Sequence, residues 1–170
     1  MSDIAFEDRA FAASAAGTPP RPVHAHYVGA AVALAAAATL ELALPLGIDG
    51  PPGAPSALLV AALTLGAAIA TLVWARRRIV ARLRAMDPSR PETALVTDGP
   101  YARSRNPVQL ALAAGIVGAS ALFSLDWGVF AAIGYLVWLR RAVIPAEEAR
   151  MQARFGAAWD EYRARVNRWV

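Results

Sequence analysis

Residues 56–78 read SALLVAALTLGAAIATLVWARRR. From Ser56 to Ala75 there is no charged side chain, and three arginines follow at once. At 1.5 Å of rise per residue, such a run forms a helix of about 30 Å, the thickness of a bilayer's hydrocarbon core. The stretch therefore predicts a membrane-spanning helix. Arg76-Arg77-Arg78 marks the end that stays on the cytoplasmic side.

Three further runs read the same way. Tyr27 to Leu46 is mostly apolar and carries one charge, Glu41. Val108 to Leu125 is at the lower limit for a span, and Ala111, Ala114, Gly115 and Gly118 supply small residues for close helix packing. Trp127 to Ile144 follows the tight turn Ser124-Leu125-Asp126-Trp127 and ends near Arg140 and Arg141. The expected fold is all-α and polytopic, with four transmembrane helices at about 27–46, 56–75, 108–125 and 127–144 and an amphipathic cytoplasmic helix at the C-terminus. Residues 25–170 form one membrane domain, and 1–24 a polar, proline-bearing cytoplasmic tail without the basic start and apolar core of a signal peptide. The loops at 47–55 and 124–126 contain no arginine, whereas the tail, the 76–107 segment and everything from Arg140 onward hold all of them. Both termini and the central loop are accordingly expected in the cytoplasm of an integral membrane protein, with a bacterial inner membrane the expected location. A soluble helical bundle leaves the uncharged runs between arginine clusters unexplained.

Composition agrees and narrows the chemistry. Hydrophobic residues make up 57% of the chain, above the 45–50% or so of soluble domains. There is no cysteine, and His24 and His26 are the only histidines. Disulfides and thiol chemistry are excluded, and a histidine metal site or a Ser-His-Asp triad is disfavoured, so no metal is expected. The net charge of +4 comes entirely from arginines that flank apolar runs, which points to membrane lipids and not to nucleic acid. Glu41 has two readings: a functional intramembrane carboxylate, or a side chain about 9 Å from the segment's end that reaches the interface.

Pro145 to Val170 reads PAEEARMQARFGAAWDEYRARVNRWV. Met151, Phe155, Trp159, Tyr162, Val166 and Trp169 recur at helical spacing and share one stripe. Glu148 falls inside that stripe and Glu147 at its edge. Such carboxylates either need a buried partner or complement the dipole of the helix's first turn. The helix itself could also lie on the bilayer surface.

Between the second and third apolar runs lies GPYARSRNPVQ, Gly99 to Gln109. Asn106 suits an N-cap and Pro107 the first helical position, so the third helix starts here. Its free N–H groups, with Arg103 and Arg105 beside them, make either an anion site or a capped helix with interfacial arginine anchors. This junction and Glu147-Glu148 lie at the two ends of one helical hairpin, on the same side of the membrane. A ligand bearing a carboxylate together with a cation or diol suits such a pair, and S-adenosylmethionine has all three.

VTDGPYARSRNPVQLA followed by EEARMQARFGAAWDEYRARVNRW resembles the integral-membrane methyltransferases of the isoprenylcysteine carboxyl methyltransferase and phospholipid methyltransferase group. Their pattern is Gly-Pro-Tyr, Arg-His-Pro-x-Tyr, a helical hairpin, Glu-Glu-x-x-Leu, Phe-Gly-x-x-Tyr-x-x-Tyr and a late arginine. The resemblance covers about residues 95–170. It implies an S-adenosylmethionine pocket lined by Tyr101, Arg105, Asn106, Pro107, Glu147 and Glu148 and closed by Arg168, with a lipophilic acceptor arriving from the bilayer. Asn106 stands where the family has histidine and Gln109 where it has tyrosine, still facing the cofactor. Met151 and Trp159 replace a leucine and a tyrosine. No GxGxxG occurs, so a soluble Rossmann-type methyltransferase is not the explanation.

A carboxylate acceptor needs only a cation, Arg103 or Arg105, to hold it. An amine acceptor needs a base, for which Glu148 and Glu41 are the candidates. Two other readings stay open: a nicotinamide-binding membrane reductase, and a non-catalytic membrane scaffold. Because the chain lacks cysteine, single-cysteine variants report topology directly. Ala54→Cys is expected to react with a membrane-impermeant maleimide added to intact cells, and Ala102→Cys only after permeabilisation. Labelling of Ala102→Cys from outside overturns the orientation.

Overall fold

The computed structural model describes residues 25–48, 54–87 and 94–170. The expected tail at 1–24 lies outside the described residues, as do the tip of the 47–55 loop and Arg90. All regular structure among the described residues is helical: α1 (Ala25–Ala43), α2 (Pro55–Arg84), a 3₁₀ turn (Gly99–Ala102), α3 (Pro107–Phe123), α4 (Gly128–Trp138), a π-helical turn (Leu139–Val143), α5 (Ile144–Phe155) and α6 (Ala157–Arg165). Three helical runs are long and apolar enough to cross a membrane: Ala25–Ala43, Pro55–Arg84 and Gly128–Phe155. Pro107–Phe123 is apolar but shorter, at 17 residues.

The packing is that of a protein dissolved in lipid. Small side chains face inward and large ones outward. On α2, Ala61, Ala68 and Ala75 are buried at seven-residue spacing, while Leu59, Leu63 and Ile69 are each at least 60% exposed. Lipid tails are as apolar as leucine, so helices associate through close contact between small residues and not by hiding large ones. α3 is the central helix, packed most extensively against α2 and also against α4 and α1. A Cβ on Gly118 would run into Thr64 and come within 2.8 Å of Leu65 Cγ, so this glycine sets the closest approach of α2 to α3. On the other side, Ile116, Ala132, Tyr135, Leu139 and Ile144 form the apolar core, with Ala30 and Ala33 of α1 against it.

Three expectations are corrected. α2 does not end at Ala75 but runs on through Arg76, Arg77, Arg78, Arg82 and Arg84. Its 30 residues exceed the roughly 20 that the hydrocarbon core of a bilayer requires. The fourth apolar run does not stop at Ile144: Gly128–Phe155 is a continuous helical run that widens to a π-turn at Leu139–Val143. Pro145 explains the widening, because its ring lacks an N–H and would clash with the carbonyl of Arg141 in a regular helix. The C-terminal segment is not one helix either. It breaks at Gly156, which has φ +51°, and becomes extended at Val166.

At the far end of α3, Ser124 takes a left-handed conformation (φ 52°) and turns the chain into α4. Glu41 belongs here. Its carboxylate accepts the Asp126 N–H at 2.7 Å, Asp126 accepts the Ile48 N–H at 3.0 Å, and the Trp127 indole donates to the Leu44 carbonyl at 2.9 Å. Glu41 thus latches α1 to the α3–α4 turn.

Gly118→Val is expected to overpack the α2–α3 contact and cost about 1–3 kcal/mol. Gly134→Ala has open space around the new methyl and is expected to stabilise α4 by about 0.5–1 kcal/mol. Thermal melts of the detergent-solubilised variants, followed by helical circular dichroism, check both.

Candidate functional site

The loop entering α3 is docked on the end of α2. Gly99 has φ +62°, a region that favours glycine, and a Cβ there would lie 3.0 Å from Arg78 Cγ and 3.2 Å from Trp74 Nε1. Arg78 in turn pairs with Asp98 at 3.1 Å. Pro100, Ser104 and Asn106 are buried behind this contact.

The same loop is stitched to the C-terminal segment. The Tyr162 hydroxyl donates to the Tyr101 carbonyl at 2.7 Å, and the Arg105 N–H to the Asn167 carbonyl at 3.0 Å. The Ser104 hydroxyl and the Asn106 amide both donate to the Arg168 carbonyl, at 3.2 and 3.0 Å. Asn106 does occupy the N-cap position of α3, but its side chain makes no cap hydrogen bond. It serves the C-terminal segment instead. Together these bonds fix where residues 166–168 run.

The charged groups meet beside this stitching. Glu148, just past the first turn of α5, accepts from Arg105 Nη1 at 2.9 Å and from Arg168 Nε and Nη2 at 3.1 and 2.6 Å. Arg168 thus grips both carboxylate oxygens in the fork geometry that suits guanidinium and carboxylate. The neighbouring Glu147 accepts from the buried Gln109 amide at 3.3 Å. The Arg105 guanidinium lies 5.6 Å from the centre of the Trp159 ring, within cation–π range. Its Nε is buried without a hydrogen-bond partner.

A sequence model of the phospholipid methyltransferase family matches residues 56–158, more than half of the 170-residue chain. The chain belongs to that family. Its members are methyltransferases that act on lipid-like membrane substrates, and the apolar helices agree with an integral membrane protein. No curated protein and no solved structure matches the chain. The match takes in α2, which the residues carrying the resemblance did not. It stops before Trp159, Tyr162 and Arg168.

In this methyltransferase, six of the residues singled out from sequence converge: Arg105, Asn106, Gln109, Glu147, Glu148 and Arg168. Tyr101 joins through its carbonyl. Pro107 is buried on the side of α3 that faces α2. Glu41 is not part of the cluster, since it sits at the other end of α3, about 25 Å of helix away. Sequence reasoning missed Ser104, and it read Trp159 and Tyr162 as members of the packing stripe and of the family's aromatic motif without assigning either to the site. Their spacing of three residues on one helical face, next to an arginine-rich loop, was the available signal.

Burial pushes the Tyr162 hydroxyl up to about 12, with Arg105 pulling the other way. A raised folded-state value means the neutral form is favoured by folding. The stabilisation is complete below about pH 10, the ordinary tyrosine value, and is lost as pH rises towards 12. Tyr162→Phe is expected to cost about 0.5–1.5 kcal/mol at neutral pH through the lost hydrogen bond to Tyr101. It is also expected to flatten the fall in melting temperature between pH 10 and 12. An alkaline stability series on the two proteins makes the comparison.

Proposed function

We propose that this chain is an S-adenosylmethionine-dependent methyltransferase that modifies a lipophilic acceptor, a carboxylate or an amine, at the cytoplasmic face of the membrane. In this reading, α1, α2, α3 and the Gly128–Ile144 run are four spans, and both termini are cytoplasmic. A short α3 is tolerated in the middle of the bundle, where its ends are covered by α2, α4 and the C-terminal segment. The observation that carries the proposal is the convergence of the α3 junction and the acidic pair on one charged cluster, in a chain of a methyltransferase family.

The residues present suit the cofactor. Its carboxylate calls for fixed cations, and Arg105 and Arg168 are fixed, with a buried Arg105 Nε still unpaired. Its ammonium group and ribose diol call for carboxylates, which Glu147 and Glu148 provide. When bound, S-adenosylmethionine supplies a methyl group on a sulfonium, open to attack by a nucleophile held in line. The protein's work is then positioning and exclusion of water. Glu148 holds the two guanidiniums in place. Gln109 orients Glu147, and Trp159 backs Arg105 with an aromatic face. For a carboxylate acceptor, Arg105 supplies the holding charge and no base is needed. For an amine acceptor a carboxylate must take the proton. Both oxygens of Glu148 are engaged by guanidiniums, so Glu147, held by a single neutral amide, is the better placed to do so.

Calorimetry on the detergent-purified protein tests this reading. S-adenosylmethionine is expected to bind and NADPH not to. Glu147→Gln and Arg105→Ala are each expected to weaken binding at least several-fold. Absence of S-adenosylmethionine binding to the unmodified protein sinks the enzyme reading, and unchanged affinity in both variants refutes the pocket.

A further inference from the structure

A concave feature lies on the face of α3 opposite the charged cluster. A groove of about 280 Å³ runs between α2 and α3. Ala68, Leu110, Ala111 and Ala114 line its length, and Trp74, Arg103 and Ser104 stand at its loop end. Setting Pro107 at zero, Leu110, Ala111 and Ala114 fall within about 60° of it around the helix, whereas Gln109 falls at about 200°. The groove and the Gln109–Glu147 pair are therefore on opposite sides of α3, and the helix itself separates them.

What fills this groove is set by its surroundings. α2, whose Ala67, Ala68 and Thr71 line it, also carries exposed Leu63 and Ile69, side chains that belong in hydrocarbon. An apolar groove open at that depth takes an alkyl chain more readily than water, because its walls offer water few polar partners. Its size, just under the roughly 300–1,000 Å³ of ordinary small-molecule sites, suits one chain and not two. The loop end is cationic. Arg103 is exposed there and has no acidic partner among the described residues, and Arg76 and Arg77 stand exposed near the same end of α2. Trp74 contributes the amphipathic ring that favours the headgroup level.

We propose that the α2–α3 groove is a binding site for an anionic membrane lipid, with one hydrocarbon chain in the groove and the headgroup phosphate on Arg103. The site is separate from the charged cluster and does not depend on methyl transfer; it requires only that α2 and α3 lie in a bilayer. It also has a route to the cluster. Ser104 lines the groove and holds the Arg168 carbonyl, so a lipid seated against it braces the loop that carries Arg105.

Native mass spectrometry of the full chain, released from phosphatidylcholine nanodiscs with and without phosphatidylglycerol, tests the proposal. One phosphatidylglycerol molecule is expected to stay bound in preference to phosphatidylcholine. Arg103→Gln, at an exposed side chain that does not contribute to packing, is expected to weaken retention about fivefold. Ala111→Leu, which fills the groove, is expected to abolish it in protein whose circular dichroism is unchanged. Inorganic phosphate alone is expected neither to bind nor to compete, since it lacks the chain. Equal retention of the two lipids, or retention of phosphatidylglycerol unchanged by Arg103→Gln, overturns the proposal.

Discussion

Two guanidinium groups share the carboxylate of Glu148, and three separate parts of the chain meet on it. Arg105 comes from the loop before α3, Glu148 from α5 shortly after the π-helical widening, and Arg168 from the extended end of the chain. The side chains of Arg105 and Glu148 are only 11% and 20% exposed. Charges this far from water are tolerated only when matched, and removing one member leaves the others uncompensated. The hydrogen bonds around the pair serve the same end. Ser104, Asn106 and Tyr162 hold the loop and the C-terminal segment in register, so that the guanidiniums arrive where the carboxylate is.

The membrane helices make that meeting possible. α3 and the Gly128–Phe155 run form an antiparallel hairpin whose two polar ends come back to the same side. The Glu41–Asp126 latch fixes the far end of the hairpin against α1. The near end carries the charged cluster. Small residues along α2 and α3 draw those helices close, which buttresses the entry loop through Trp74 and Arg78 against Gly99. The π-turn belongs to the same economy of parts. It lets a proline-bearing segment continue the fourth apolar helix, so Glu147 and Glu148 are presented from a continuous rod and not from a flexible linker.

α3 has two working faces. One carries Gln109 towards the carboxylates, and the other lines the alanine-rich groove against α2. Ser104 touches both, through its place at the groove and its bond to Arg168. The groove on one face and the charged cluster on the other are thus joined through a short, heavily hydrogen-bonded loop.

The all-helical class and the approximate positions of the apolar helices were legible in sequence, because length and charge placement are local properties and a bilayer imposes them. The pairing of the junction with Glu147-Glu148 was legible too, since a hairpin must return its ends to one side. The sequence could not show that Glu148 rather than Glu147 takes both arginines. That depends on where Arg105 and Arg168, from two distant segments, come to lie. It could not show that Asn106 turns away from its helix to hold the Arg168 carbonyl, since an N-cap position is local but the competing acceptor comes from 62 residues away. The break at Gly156 escaped the helical stripe because the stripe's spacing passes through it undisturbed. Composition and charge placement marked the apolar runs and the arginine clusters that bracket them. Tertiary structure alone decided which charges meet, because that rests on how three segments distant in sequence pack around one buried carboxylate.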